Sequence, residues 1–186
     1  AGGESLDKVL VVGASNRVDM SVPAVLRAGR LDVKIRIDRP SAESAVAIVR
    51  HYLTDDLPLR QGMDASALAA VLVRDIMARS ARRELAQVRD ANGRWRGLFL
   101  ADVVSGASLK NIVDRAKTRA VKASIETGGQ VALDADLLAA AVDDEFRETR
   151  AALLDADPEQ WSRVNGFETG SITAIRQVPE TEAERA

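Results

Sequence analysis

Val9-Leu10-Val11-Val12 is followed at once by Gly13 and a run of small residues. Four consecutive apolar residues bounded by a turn signal read as a short buried strand. Gly13 ends it and Asn16 stands at its tip. Ser21 then offers a helix N-cap with Pro23 just inside, and Gly29 in Leu26-Arg27-Ala28-Gly29-Arg30 suits a left-handed helix end. Leu31 to Ile37 reads as a second strand, and Arg39-Pro40 breaks it, because proline cannot extend a ladder. Strand, short helix and strand within Val9–Ile37 demand an α/β layer. They place one amide, Asn16, and two guanidinium groups, Arg27 and Arg30, at the ends of rigid elements.

From residue 41 the pattern changes to helical periods. Ser41 caps a helix to about Leu53, with Ala45, Ile48, Val49 and Tyr52 on one face. Asp55-Asp56-Leu57-Pro58 is a turn. Asp64 or Ser66 caps a long helix from Ala65 to about Arg83, striped by Leu68, Val71, Leu72 and Ile76. Leu85–Arg89 and Arg94–Leu100 flank Asn92-Gly93, a hairpin signal because both positions tolerate the positive φ of a type I′ turn. Asp102 to Gly106 reads as a loop. A helix follows from Ala107 to about Thr127, stopped by Gly128-Gly129, and Asp134 or Asp136 starts another to about Arg150. Beyond Asp157-Pro158, the residues Trp161, Val164, Ile172 and Ile175 suggest one further strand. Pro179–Ala186 is charged and reads as disordered. The expected organisation is therefore the end of an α/β domain over 1–40, a helical small domain with a hairpin near 85–100 over 41–150, and a partly disordered tail over 151–186.

Composition narrows the chemistry. With no cysteine and one histidine, thiolate or histidine metal sites and a histidine-centred triad are excluded as expectations, and no metal ligand set is predicted. Lys and Arg total 26 against 28 Asp and Glu, which argues against whole-chain binding to nucleic acid or an anionic membrane. No apolar run approaches the ~20 residues of a membrane span, and no signal peptide is visible, so a cytoplasmic protein is expected. The chain has three Phe, two Trp and one Tyr, so its core must be built from Ala, Val, Leu and Ile. It opens Ala1-Gly2-Gly3 without Met, which reads as a fragment beginning inside a domain.

Gly13-Ala14-Ser15-Asn16-Arg17, followed by Arg27-Ala28-Gly29-Arg30-Leu31-Asp32, resembles the second region of homology of AAA ATPases. The family's usual Pro is replaced here by Ala28. Within the family the chain is similar to the proteasome-associated ATPases of actinobacteria. The similarity runs through Val33–Ile37, Arg39-Pro40 and Tyr52-Leu53-Thr54, and returns at Ser105-Gly106-Ala107, Val113–Lys117 and Glu126-Thr127-Gly128. The fold it implies is the C-terminal part of a AAA module: part of the P-loop α/β core, then a mostly helical lid with a β-hairpin insertion.

The resemblance implies that Asn16 is the sensor-1 residue at the γ-phosphate and attacking water; read alone, it is also a common strand-end turn residue. It implies that Arg27 and Arg30 are arginine fingers acting on a neighbouring subunit's ATP, where a forked cation stabilises transition-state charge. Asp32 either holds one of these arginines or is a strand-start charge. Gly106 and Ala107 correspond to the sensor-2 region, where small residues let adenine and ribose approach a helix start, while Ser105 also serves as a simple N-cap. His51 lies near a family histidine beside the base, or is a lone helix-surface histidine. The cofactors implied are ATP and Mg²⁺. The assembly implied is a homo-hexamer that unfolds substrates tagged with a small ubiquitin-like protein (pupylated substrates) and feeds them to a proteasome core particle.

Two features temper that picture. These residues contain no G-x-x-x-x-G-K-[ST] loop and no apolar run ending in Asp-Glu, so ATP hydrolysis by this chain alone is not expected. The chain ends Glu184-Arg185-Ala186, where the proteasomal ATPases carry a Gln-Tyr-Leu-like docking tripeptide. A non-catalytic ring-assembly module is therefore an alternative. A further alternative is nucleic-acid binding through Lys110, Arg115, Lys117, Arg119 and Lys122, although Asp114 and Glu126 interrupt that patch.

Overall fold

The structure is a computed structural model that describes residues 12–13, 33, 35, 37–168 and 170–178. The chain forms two compact units, Ala1–Ile37 and Asp38–Ala186. The strand–helix–strand expected in Val9–Ile37, with Asn16, Arg27, Arg30 and Asp32, lies outside the described residues save for isolated positions, as does Pro179–Ala186. The second unit is a helical domain with one small sheet.

Its helices begin where short polar side chains meet apolar stripes. Ser41 caps α1 (Ala42–Tyr52) and Asp64 caps α2 (Ala65–Ile76), each side chain accepting the N–H three residues on. On α1, Ala45 and Val49 are fully buried, with Ile48 and Tyr52 half-buried beside them. On α2, Leu68, Leu72 and Ile76 enter the core.

The helix expected to run to Arg83 stops at Ile76. The cause is tertiary. Arg83 sits in a short 3₁₀ turn, Ala81–Arg83, and folds back onto Asp75. In a continuous helix those eight residues would span about 12 Å, beyond the reach of that contact.

The hairpin is present as β1 (Glu84–Arg89) and β2 (Trp95–Phe99). Its turn differs from the type I′ expectation. The Gly93 N–H donates to the Asp90 carbonyl, so Ala91 and Asn92 are the central residues, and Gly93 follows at φ +80°. Asp90 explains the shift: its side chain accepts from the N–H groups of Asn92 and Arg94 and fixes the longer loop. Gly97 makes room for neighbouring side chains: a β-carbon there would lie 2.8 Å from Glu84 Oε1 and 2.9 Å from the Phe99 ring, and those side chains would have to shift.

The expected loop Asp102–Gly106 is partly a helical turn, α3 (Leu100–Val103), because the Asp102 carboxylate accepts the Phe99 N–H at 2.9 Å. Next come α4 (Gly106–Thr127), closed by Gly128 at φ +69°, and α5 (Ala135–Leu154), capped by Asp134. The segment after residue 150 continues α5 to Leu154. It then forms α6 (Pro158–Val164), with an Asp157 cap and Pro158 at its start, and β3 (Ala174–Arg176). Strand β3 pairs antiparallel with β1, giving the order β2-β1-β3.

The core is aliphatic, as composition requires. Leu53, Leu68, Ile76, Leu98, Ile112, Leu138 and Ile172 are buried together, with Phe146 and Trp161 at the margin. Leu59 and Leu133 form a parallel bridge that ties the loop after α1 to the approach to α5.

Candidate functional site

Ser105, Gly106 and Ala107 are the N-cap and first two residues of α4. The Ser105 hydroxyl accepts the Ser108 N–H at 3.2 Å, and its carbonyl accepts the Leu109 N–H at 3.0 Å. A β-carbon added to Gly106 would meet only Ile48 Cδ1, at 3.9 Å, an ordinary contact. Gly106 does not have a positive φ either. The fold therefore has room for a side chain where the sequence has none. Ala107 beside it is exposed.

Ile48 lies beside Gly106, and one turn further along both helices Tyr52 lies beneath the Lys110 ammonium, 5.8 Å from its ring centroid. The last turn of α1 and the first turn of α4 thus run side by side in the same direction. His51, exposed, sits in that last turn, three residues after Ile48 and on the same side of the helix. One neighbourhood is thus formed by the end of α1, which carries His51, and the start of α4, which carries Gly106 and Ala107. Lys110 and Tyr52 belong to it too. The signal for Lys110 was its i+4 spacing from Gly106 on one helix face.

The electrostatics of this neighbourhood are distinctive. Asp64, Asp134 and Asp157 cap α2, α5 and α6, and α1 and α3 carry Glu43 and Asp102 in their first turns. Among the described α-helices, only α4 has a neutral cap and no acidic residue in its first turn. Its positive end is left unscreened by its own sequence. The carboxyl that approaches it is Glu145 of α5, hydrogen-bonded to Ser108. Burial pushes that carboxyl above its usual range, while Arg115 and Ser108 pull it down.

Three of the basic residues on α4 are held in ion pairs. Lys110 pairs with Asp114, Arg115 with Glu148 at 2.5 Å, and Arg119 with Asp144. A charged hollow of about 590 Å³ beside α4 is lined by Arg115, Arg119, Lys122 and Asp144, and both arginines are already paired. Among the described residues, no group of acidic or histidine side chains could hold a metal ion. Asn16, Arg27 and Arg30 lie outside the described residues.

Residues 40–186 match the family model described as "ARC, AAA+ ATPase lid domain". Three relatives are each described as an "AAA ATPase forming ring-shaped complexes". The chain is 70% identical over 167 residues to that of Bifidobacterium longum subsp. infantis, covering 90% of this chain and 32% of the relative. It is 64% identical over 177 residues to that of Bifidobacterium adolescentis, covering 95% and 34%. It is 55% identical over 173 residues to that of Bifidobacterium animalis subsp. lactis, covering 89% and 33%. The chain thus spans about a third of the length of the curated relatives it matches.

Proposed function

The chain belongs to the ARC family of AAA+ ATPase lid domains, and from that premise we propose that it is the lid-bearing C-terminal part of a ring-forming, ATP-driven protein unfoldase. Gly106 and Ala107 form the small-residue surface against adenine and ribose, His51 flanks the base, and the α4 N-terminus faces the nucleotide's negative charge. Asn16 is sensor 1, and Arg27 and Arg30 are fingers directed at a neighbouring subunit's γ-phosphate. ATP and Mg²⁺ are held mainly by a P-loop core upstream of this segment. The working assembly is a cytoplasmic hexamer that passes pupylated substrates to a proteasome core particle.

One observation carries the nucleotide reading. Gly106 is a glycine that the fold does not need, at the one described α-helix start with neither an acidic cap nor an acidic residue in its first turn. A close-packed planar ligand explains the absence of a β-carbon at Gly106, and its phosphates would meet a helix start with no carboxylate in its own first turn, beside Glu145 of α5. The ring reading is supported by the names of the Bifidobacterium relatives.

The test is to introduce Gly106→Ala into the full-length ATPase that carries this chain. The expected result is unchanged or slightly higher thermal stability together with a several-fold higher KM for ATP. Equal KM values for wild type and variant would remove the nucleotide role from Gly106. ATP-independent assembly of the wild-type ring with no turnover would favour the non-catalytic module.

A further inference from the structure

Arg39 is the second residue of the described unit, immediately before Pro40 and the α1 cap. Its guanidinium reaches 64 residues along the chain. Nη1 donates to the Val103 carbonyl and, at 3.3 Å, to that of Val104; these are the last residue and the C-cap of α3. Nη2 donates at 2.5 Å to the carbonyl of Asn165, the C-cap of α6. The guanidinium carbon lies 5.6 Å from the centroid of Phe167, whose ring stacks on Trp161 at 5.5 Å. One cation therefore closes the negative ends of two short helices. Those carbonyls have no intrahelical donors, and a planar fork satisfies them in a way a point charge cannot.

The two helix ends are not equivalent in consequence. Val104 is one residue before Ser105, so the carbonyls that Arg39 holds fix the exit of α3 directly into the α4 cap. The α6 end leads through Gly166 and Phe167 toward β3, and the Phe167 N–H is itself tied to the Ser162 carbonyl at 2.9 Å.

We propose that Arg39 is a positioning residue for the nucleotide-facing turn: it locks the segment entering the lid, the approach to Gly106 and the end of α6 into one rigid joint, so that the three move together. The nucleotide part of this inference rests on the function proposed above; the joint itself does not.

The experiment compares wild type with Arg39→Gln and Arg39→Lys. Amide hydrogen exchange in the 186-residue chain reads the joint. With Arg39→Gln, exchange at Val104, Ser108 and Leu109 and at Asn165, Gly166 and Phe167 is expected to rise together by about tenfold, with α2 and α5 unchanged. Arg39→Lys restores at most one of the two segments. A rise in only one segment with Arg39→Gln, or an equal rise across α2 and α5, overturns the joint. In the full-length ATPase, Arg39→Gln is expected to raise the KM for ATP several-fold with a smaller change in kcat. If Gly106→Ala raises KM and Arg39→Gln does not, the positioning role falls. If Gly106→Ala leaves KM unchanged, the nucleotide reading falls, and the exchange result still decides the joint.

Discussion

Arg83 and Asp75 form a two-bond fork: Nε donates to Oδ1 at 3.0 Å and Nη2 to Oδ2 at 2.5 Å, with the arginine side chain only 1% exposed. Nη1 continues to Asp143 of α5 at 2.6 Å, so this one buried cation ties together α2, the 3₁₀ turn and α5. Removing one partner of a buried pair leaves the other charge stranded. Asp143→Ala leaves the Asp75 fork in place but strips Nη1 of its acceptor, and is expected to destabilise the unit by about 1.5 kcal/mol in urea unfolding. Arg83→Met, which fills the space without charge, is expected to cost clearly less than Arg83→Ala. Equal losses for the two arginine variants would show that charge, and not volume, holds this joint.

The same cluster sets an acid limit. Burial pushes the Asp143 carboxyl up, but hydrogen bonds from Arg83 and Arg82 outweigh it and hold the group below its usual range. A depressed carboxylate contributes stability above its unfolded pKa and loses it as pH falls through the folded one. Urea midpoints are expected to be level near neutrality and to drop below about pH 4. In Asp143→Asn that acid-side slope should be shallower than in wild type.

Ser105 separates the fold from the site. Ser105→Ala removes an N-cap and is expected to cost about 1 kcal/mol. Ser105→Asp keeps the cap, and the fold with it, but puts an anion where the proposed nucleotide brings its own. Its expected signature in the full-length ATPase is wild-type stability with a raised KM for ATP. A normal KM in a stable Ser105→Asp ring would argue that nothing anionic approaches α4.

Arg27 and Arg30 are proposed to act across a subunit boundary. Subunits carrying Arg30→Ala can be mixed with subunits whose phosphate loop is inactivated. Mixed rings are expected to hydrolyse ATP only at interfaces that pair an intact site with an intact finger. Turnover independent of the mixing ratio would place the arginine's action within its own subunit or nowhere.

The α4 surface is expected to be a poor nucleic-acid ligand. Three of its cations are neutralised by Asp114, Glu148 and Asp144, which leaves little counterion release to drive binding. Fluorescence anisotropy with a labelled duplex in about 50 mM salt should show no saturable, salt-sensitive binding. Such binding would restore the nucleic-acid reading.

Local signals made much of this fold legible. Ser41, Asp64, Ser105 and Asp134 mark helix starts because capping is a contact between residues three apart, and Gly128 marks an end because only its backbone accepts the left-handed turn cheaply. Failures came where distant residues decide. The end of α2 depends on Arg83 reaching Asp75 and Asp143, and the periodicity of α2 contains no trace of that. The turn at Asn92-Gly93 was misread for a nearer reason: the Asp90 side chain competes for the backbone donors that a two-residue loop would leave free. The start of α6 was readable as Asp157 followed by Pro158, a cap and first-turn pair. At the candidate site, Gly106, Ala107 and His51 are proposed from family resemblance. Arg39 was not legible in the sequence, since its partners at Val103, Val104 and Asn165 are backbone carbonyls that no side-chain pattern announces.

The order β2-β1-β3 carries a consequence for synthesis. Strand β1 finds its first neighbour within ten residues, but its second, centred on Ile175, emerges from the ribosome only after the whole of α3 to α6 has been made. Until then one edge of the nascent hairpin presents open backbone donors and acceptors, the template on which chains stick to one another. Polysomes translating this segment hold many such edges in close proximity. The short strand at residues 174–176 is thus also the stopper that takes each finished copy out of that crowd.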